Sequence, residues 1–429
     1  MLCTNIMRES LRIATWALIW ATLGIFCVVP VLILAFGFQE IIFYRGDITF
    51  EILALNASLV IPLVVGLLLI KRQSWRTLLP ASRVQGQTGL QIFIGGWILI
   101  FLLFGGLDYR QSDVDVGYAA RSIPLQIAQV LGNLVTICAV AVYVESRSTG
   151  LRRLGGMLSV LALALALILS GSRGLVVQLL LTVWIALHLQ LTTCRELVPI
   201  ANFPGSMASG VVPRRLQHAV APRLFSVKVA MLGLLTIALL GAWGAIRDEQ
   251  QDTLFATLYR AAEPYWHHAL VRQREQGSDL TVLMESFVRI ASIPGRWFGI
   301  QYDFSINGSE HILKYKLDID PREGVSLPIT YIGEGILFDG YSGAILFQTL
   351  TYLMVVASFW LLARVRGLRS SLIIALVAFQ VVKCIFLYPK SLSGVFLVML
   401  YETLRDYVML FFLSQLLTGC SKTILAPKK

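Results

Sequence analysis

IATWALIWATLGIFCVVPVLILAFG, residues 13–37, decides the fold. The run carries no charge, and at 1.5 Å per helical residue it exceeds the ~30 Å hydrocarbon core of a bilayer. Arg8 and Arg12 precede it, as basic residues precede the apolar region of a signal peptide, but the run is too long for a cleaved one. It reads as a retained first membrane helix.

The rest of the 429-residue chain repeats that pattern. Apolar residues make up 56% and charged ones only 14%, with a mean hydropathy of +0.73, whereas about a quarter of the residues in a soluble domain are charged. Windowed hydropathy places spans at 13–37, 52–70, 90–106, 124–144, 154–170, 174–193, 229–246, 344–363, 371–388 and near 394–418. The expected fold is therefore an all-α polytopic membrane protein of about ten helices, with re-entrant segments where a run is interrupted. Residues 1–246 form an N-terminal bundle, 247–343 one large water-facing loop with short helices, and 344–429 the last spans and a short tail.

The net charge of +11 orients the chain and does not point to nucleic acid, because the basic residues sit in short loops between apolar runs. With the N-terminus in the cytoplasm, cytoplasmic segments hold 20 of the 36 Lys and Arg, among them Lys71, Arg72, Arg152, Arg153, Arg364 and Arg369. The short outer loops hold five: Arg45, Arg110, Arg121, Arg173 and Lys390. The long loop is thereby placed outside, and its own balance is acidic, nine basic residues against 14 acidic ones. Cys3, Cys27, Cys138, Cys194, Cys384 and Cys420 lie in or beside apolar runs without a CxxC pair, so neither a disulfide framework nor a zinc site is expected.

The final stretch is interrupted by Glu402, Arg405 and Asp406, and Lys383 lies inside the preceding span. Charges in hydrocarbon cost a few kcal/mol each on insertion scales. Two arrangements fit: Arg405 pairs with Glu402 one turn back within a bundle, or residues 391–400 dip into the membrane and a shorter helix follows.

Several residues could carry chemistry. Arg173 stands in Ser170-Gly171-Ser172-Arg173-Gly174, a tight break between two spans, where a guanidinium either anchors the helix at the interface or grips phosphate oxygens. The long loop contains Leu258-Tyr259-Arg260-Ala261-Ala262-Glu263-Pro264-Tyr265-Trp266-His267-His268, a composition that also suits an interfacial helix. Adjacent His267 and His268 point to different sides of a helix and make a poor metal pair. Arg289 and Arg296 flank Ile293-Pro294-Gly295, which reads as a helix stop. Pro328-Ile329-Thr330-Tyr331-Ile332-Gly333-Glu334-Gly335 then leads to Asp339-Gly340, with glycines around Glu334 that let backbone approach something closely.

No P-loop, GxGxxG, HExxH or GxSxG motif stands in a suitable context. The outer membrane face offers no nucleotide sugars, so a reaction there needs a substrate already activated on a lipid. Arginines that stabilise a leaving diphosphate, and one carboxylate or imidazole to take a hydroxyl proton, suffice for glycosyl transfer.

In this order, the segments resemble the Wzy-type polymerases of O-antigen and related repeat units, over roughly residues 150–400. Ser170-Gly171-Ser172-Arg173-Gly174 looks like that family's Gly-Ser/Thr-Arg turn. Arg260 and Trp266-His267-His268 are similar to the segment that opens its periplasmic loop, where Glu or Asn is as usual as His at 267 and 268. Ile293-Pro294-Gly295-Arg296 resembles its late Ile-Pro turn, and Pro328 through Glu334 its Pro-x-x-x-x-Gly-Glu. The chain departs at Lys390, where the family commonly has Arg.

The resemblance implies a GT-C-like architecture in the bacterial inner membrane, with both termini cytoplasmic, the large loop periplasmic and no metal or cofactor. The substrates would be undecaprenyl-diphosphate-linked glycans, with membrane lipid and a chain-length-regulating co-polymerase as further partners. Arg173, Arg260, Glu334 and His267 would be catalytic; Arg289, Arg296, Lys390 and Trp266 would hold diphosphate or glycan. Two other activities share parts of the pattern, an O-antigen ligase and a lipid-glycan transporter.

Overall fold

A computed structural model describes residues 4–35, 49–70, 87–106, 123–146, 150–169, 173–196, 288, 330–365, 367–388 and 390–424. The 229–246 span, nearly all of the long loop, and with it Arg260, Trp266, His267, Arg289 and Arg296, lie outside these residues. Among the described residues the chain is helical throughout, without strands. The helices are α1 (Thr4–Leu23), α2 (Val29–Ala35), α3 (Phe50–Ser58), α4 (Ile61–Ile70), α5 (Gln87–Phe101), α6 (Ile123–Glu145), α7 (Gly150–Leu169), α8 (Arg173–Glu196), α9 (Tyr331–Ala363), α10 (Ser370–Ile385), α11 (Leu392–Phe396) and α12 (Glu402–Ile424).

Four stretches are long and apolar enough to cross a membrane: Ile6–Ala35, Ile52–Ile70, Gln87–Phe104 and Tyr331–Ala363. The shorter apolar helices Leu131–Glu145, Arg153–Leu169, Leu175–Gln190 and Ser370–Ile385 pack among them. The outward faces are apolar as well. Along α7, Leu154, Leu158, Leu161, Leu165 and Leu169 form an exposed stripe at helical spacing, while Leu163, Ala166 and Leu167 are buried. An apolar outer face and an apolar inner face together suit a helix bundle solvated by lipid.

The first apolar run bends where its sequence requires it. α1 passes through a π-helical turn, Gly24–Val28, into α2, whose Pro30 has no N–H to offer the Phe26 carbonyl one turn back. Asn56 of α3 supplies a donor instead: its Nδ2 bonds the Phe26 oxygen at 3.0 Å, and its Oδ1 accepts from the Tyr341 hydroxyl at 3.1 Å. Buried Ser10, Thr15 and Thr22 each donate to the carbonyl four residues back, at 2.7 Å. These hydroxyls are thereby kept out of debt in an apolar helix.

α10 is the centre of the bundle, packed against α1, α6 and α8. From Ser371 to Cys384 every residue is buried, as expected of a helix apolar on all sides. The bundle's polarity follows from hydrogen bonds at one end. Ser371 at the start of α10 donates to Glu145 at the end of α6 (3.2 Å), and Gln190 near the end of α8 donates to the Val144 carbonyl (3.1 Å). α6 and α8 therefore run parallel to each other and antiparallel to α10. This puts the N-terminus of α8, at Arg173, at the same end as the C-terminus of α10.

α9 is not one straight rod. Asp339 (φ −160°, ψ 46°) and Gly340 (φ 58°, ψ −143°) break it into a lead arm, 331–338, and a main arm, 341–363. The Gly340 conformation is open to glycine almost alone. Ser342 Oγ donates to the Asp339 carbonyl (2.6 Å) and carboxylate (2.7 Å) at the bend. The arms fold back on one another: a Cβ at Gly335 would lie 2.7 Å from Ala344 Cα, although in a straight helix those residues stand about 13 Å apart. Hydropathy starts its span at 344, after the polar tip, and so leaves the lead arm in the loop. The structure puts 331–337 in the core and exposes the tip residues Asp339 and Ser342.

The charged end of the chain forms neither of the two expected arrangements. Residues 392–424 are helical throughout, with a π-helical stretch at Leu397–Tyr401. Arg405 pairs with the neighbouring Asp406 (2.9 Å) rather than with Glu402. Glu402 and Asp406 both bind Lys383 at 3.1 Å, and Asn133 of α6 donates to Glu402 at 3.2 Å. One turn before Lys383, Gln380 accepts from Thr403 (2.7 Å). Two cations and two anions thus neutralise each other across α10 and α12, with Asn133 of α6 as a neutral donor.

Removing one member of a buried pair strands its partner, at about 3–5 kcal/mol. Lys383→Met should therefore lower the melting temperature of the detergent-solubilised protein, and adding Glu402→Gln should recover part of it, because Asp406 keeps Arg405. Gly335→Ala should also destabilise, by about 1–3 kcal/mol, since its methyl meets backbone; the same melting measurement checks it.

Candidate functional site

The α9 lead arm meets the turn from α10 to α11 at the end of the bundle where α8 begins. Thr330 caps α9 by accepting the Gly333 N–H (3.0 Å), and Ser391 caps α11 by accepting that of Gly394 (3.2 Å). Two hydrogen bonds fasten the capped ends together. The Tyr331 N–H donates to the Lys390 carbonyl at 2.7 Å, and the Leu392 N–H donates to Glu334 Oε2 at 2.8 Å.

Each bond answers a local need. The first N–H groups of a helix have no partner within it, and here they are buried. A carboxylate in the first turn of α9 serves the first N–H of α11, where negative charge is also favoured by the helix dipole. Glu334 is 4% exposed. The fold-back of α9 places it about 7 Å along the helix axis inward from the exposed tip.

Lys390 is the exposed member of this assembly. Its backbone is fixed from both sides, since its N–H donates to the Leu387 carbonyl at 2.9 Å and its own carbonyl accepts from Tyr331. The turn is also packed from beneath. Tyr388 is buried between Tyr331 and Phe26, each ring centroid 5.8 Å away, and its hydroxyl bonds Thr22 of α1. An ammonium on a turn held so firmly is a pre-positioned positive charge at the bundle's end.

Of the residues expected from sequence, Glu334 and Lys390 are therefore brought together, through main-chain bonds. Arg173 opens α8 at the same end of the bundle. The close approach expected around Glu334 is present, but what approaches Gly335 is the main arm of its own helix. Sequence reading did not single out Thr330 and Ser391 as caps, although a Thr or Ser directly before an apolar stretch is a start signal for a helix. It also passed over Tyr331, Gln348 and Tyr388, which are brought together only by the bend at Gly340. Among the described residues no three His, Cys, Asp or Glu side chains gather as a metal ion would need.

No protein-family model, curated protein or solved structure matches the chain.

The Glu334 bond sets an expectation of its own. Glu334→Gln keeps an acceptor for Leu392 and should preserve the fold. Glu334→Ala leaves that N–H buried without its acceptor, at about 1–3 kcal/mol, and should melt earlier than the Gln variant.

Proposed function

We propose that this chain is a glycosyltransferase of about ten spans that joins undecaprenyl-diphosphate-linked oligosaccharide repeat units at the periplasmic face of the bacterial inner membrane. The observation that carries the reading is the convergence at one end of the bundle: exposed Lys390 on a rigid turn, buried Glu334 beside it, and the helix start at Arg173. The charge distribution over the loops, 20 basic residues against five, puts that end outside.

In this reading the acceptor sugar's hydroxyl oxygen attacks the anomeric carbon of the donor. The bond from that carbon to the diphosphate oxygen breaks, and the lipid diphosphate departs with the electron pair. Arg173, Arg260 and Lys390, with Arg289 or Arg296, hold the diphosphate, and the guanidinium groups do so in bidentate fashion. Glu334 or His267 takes the hydroxyl proton. Trp266 packs against the glycan from the loop. The product is O-antigen or exopolysaccharide, and the site uses neither metal nor cofactor.

A transporter would line its path with unbalanced charges inside the spans. The support for that alternative falls away at Lys383, which is neutralised by Glu402 and Asp406.

The test is the ladder of polymer lengths from whole cells. Arg173→Ala should reduce polymer by about a hundredfold, the effect of losing one charge-stabilising donor, and leave single repeats on the lipid A core. Lys390→Ala should act in the same direction, with Lys390→Arg restoring polymer. Full-length polymer left on its lipid carrier would mark a ligase instead, and an unchanged ladder would remove Arg173 from the mechanism.

A further inference from the structure

Glu334 is one of the two candidate bases for the transfer, and its position tells against that role. A general base must come within about 2.6–3.2 Å of the proton it removes. Glu334 is 4% exposed, set back behind the tip of the α9 fold-back, and its Oε2 already accepts the Leu392 N–H at 2.8 Å.

What the carboxylate does hold is the start of α11. Two groups in the first turn of α9 grip the chain on either side of Ser391: the Tyr331 N–H donates to the Lys390 carbonyl at 2.7 Å, and Glu334 accepts from Leu392. Ser391 in turn accepts the Gly394 N–H at 3.2 Å, which closes the first turn of α11. The stem of Lys390 lies over that turn. A Cβ at Gly394 would stand 3.4 Å from Lys390 Cβ and 3.7 Å from its Cδ, so the methylenes pass close above a bare α-carbon. An ammonium is a point charge on a flexible stem, without the rigid fork that orients a guanidinium on an anion. Its placement has to come from the surface beneath it, and here that surface is the turn fastened by Glu334.

We infer that Glu334 is a positioning residue, which fixes the first turn of α11 so that the Lys390 ammonium is presented to the diphosphate at a set point. This role rests on the transfer reading and narrows it, since Glu334 ceases to be a candidate base. It asks of the side chain only an acceptor for the Leu392 N–H, which a carboxamide also offers.

Polymer ladders from whole cells, normalised to the amount of protein in the membrane, separate the two roles. Glu334→Ala should reduce polymer by about tenfold or more, because a misplacement of about 1 Å can cost up to about a hundredfold. Glu334→Gln should recover most of that loss. The double variant Glu334→Ala/Lys390→Ala should make as much polymer as Lys390→Ala alone, because a residue that acts through Lys390 then has nothing left to act on. A loss in Glu334→Gln as deep as in Glu334→Ala would mark a base and overturn the inference, and so would a double variant well below Lys390→Ala. Hydrogen exchange of the full-length protein in detergent reads the same bond without any transfer: the Leu392 amide should exchange about tenfold faster in Glu334→Ala and near the original rate in Glu334→Gln. Equal rates in all three proteins would also overturn it. Faster exchange in Glu334→Ala, combined with a ladder that Arg173→Ala leaves unchanged, would keep the hold of Glu334 on the turn and remove the transfer reading.

Discussion

A polar group in hydrocarbon cannot turn to solvent, so every carbonyl, hydroxyl or charge must find its partner within the protein. The organisation of this bundle follows from that constraint. Pro30 deprives the Phe26 carbonyl of its usual donor, and Asn56 reaches across from α3 to serve it. Lys383 lies in the most buried helix, Glu402 and Asp406 converge on it from α12, and Asn133 of α6 donates in turn to Glu402. The capped starts of α9 and α11 are exchanged against each other through Lys390 and Glu334. These bonds join helices from distant parts of the chain and hold them in register.

The class of the fold was legible in the sequence because it depends on a property that sums along the chain. A run such as residues 13–37 announces a membrane helix whatever surrounds it. The course of α9 was not legible for the same reason. A window that averages over Asp339-Gly340-Tyr341-Ser342-Gly343 sees only a dip in hydropathy, whereas the chain turns back through the left-handed conformation of a single glycine. The pairing of the terminal charges was hidden in another way. Spacing along one helix favoured Arg405 with Glu402, but the stronger claim on Glu402 comes from Lys383 on a different helix, and only packing reveals it.

The candidate site shows the same division. Glu334 stood out because the glycines around it let backbone approach closely, and it does occupy a buried, bonded position. What sequence could not convey is that its carboxylate is engaged with the main chain of α11. A carboxylate that holds a helix start has its orientation set by the main chain. Lys390 has the complementary character, a side chain open to solvent on a backbone with little freedom.

The reversal of α9 alters how the chain's crossings are counted. Tyr331–Ala363 has the length and apolarity to be taken for one long span, yet its two arms run in opposite directions, and the advance of the first is cancelled by the start of the second. Only 341–363 has the length in one direction to carry the chain from one face to the other. The lead arm thus adds buried residues to the bundle without adding a transit, and the sidedness of everything after it is independent of its presence. Such an insert can be lengthened, shortened or replaced over evolutionary time without inverting the protein in its membrane.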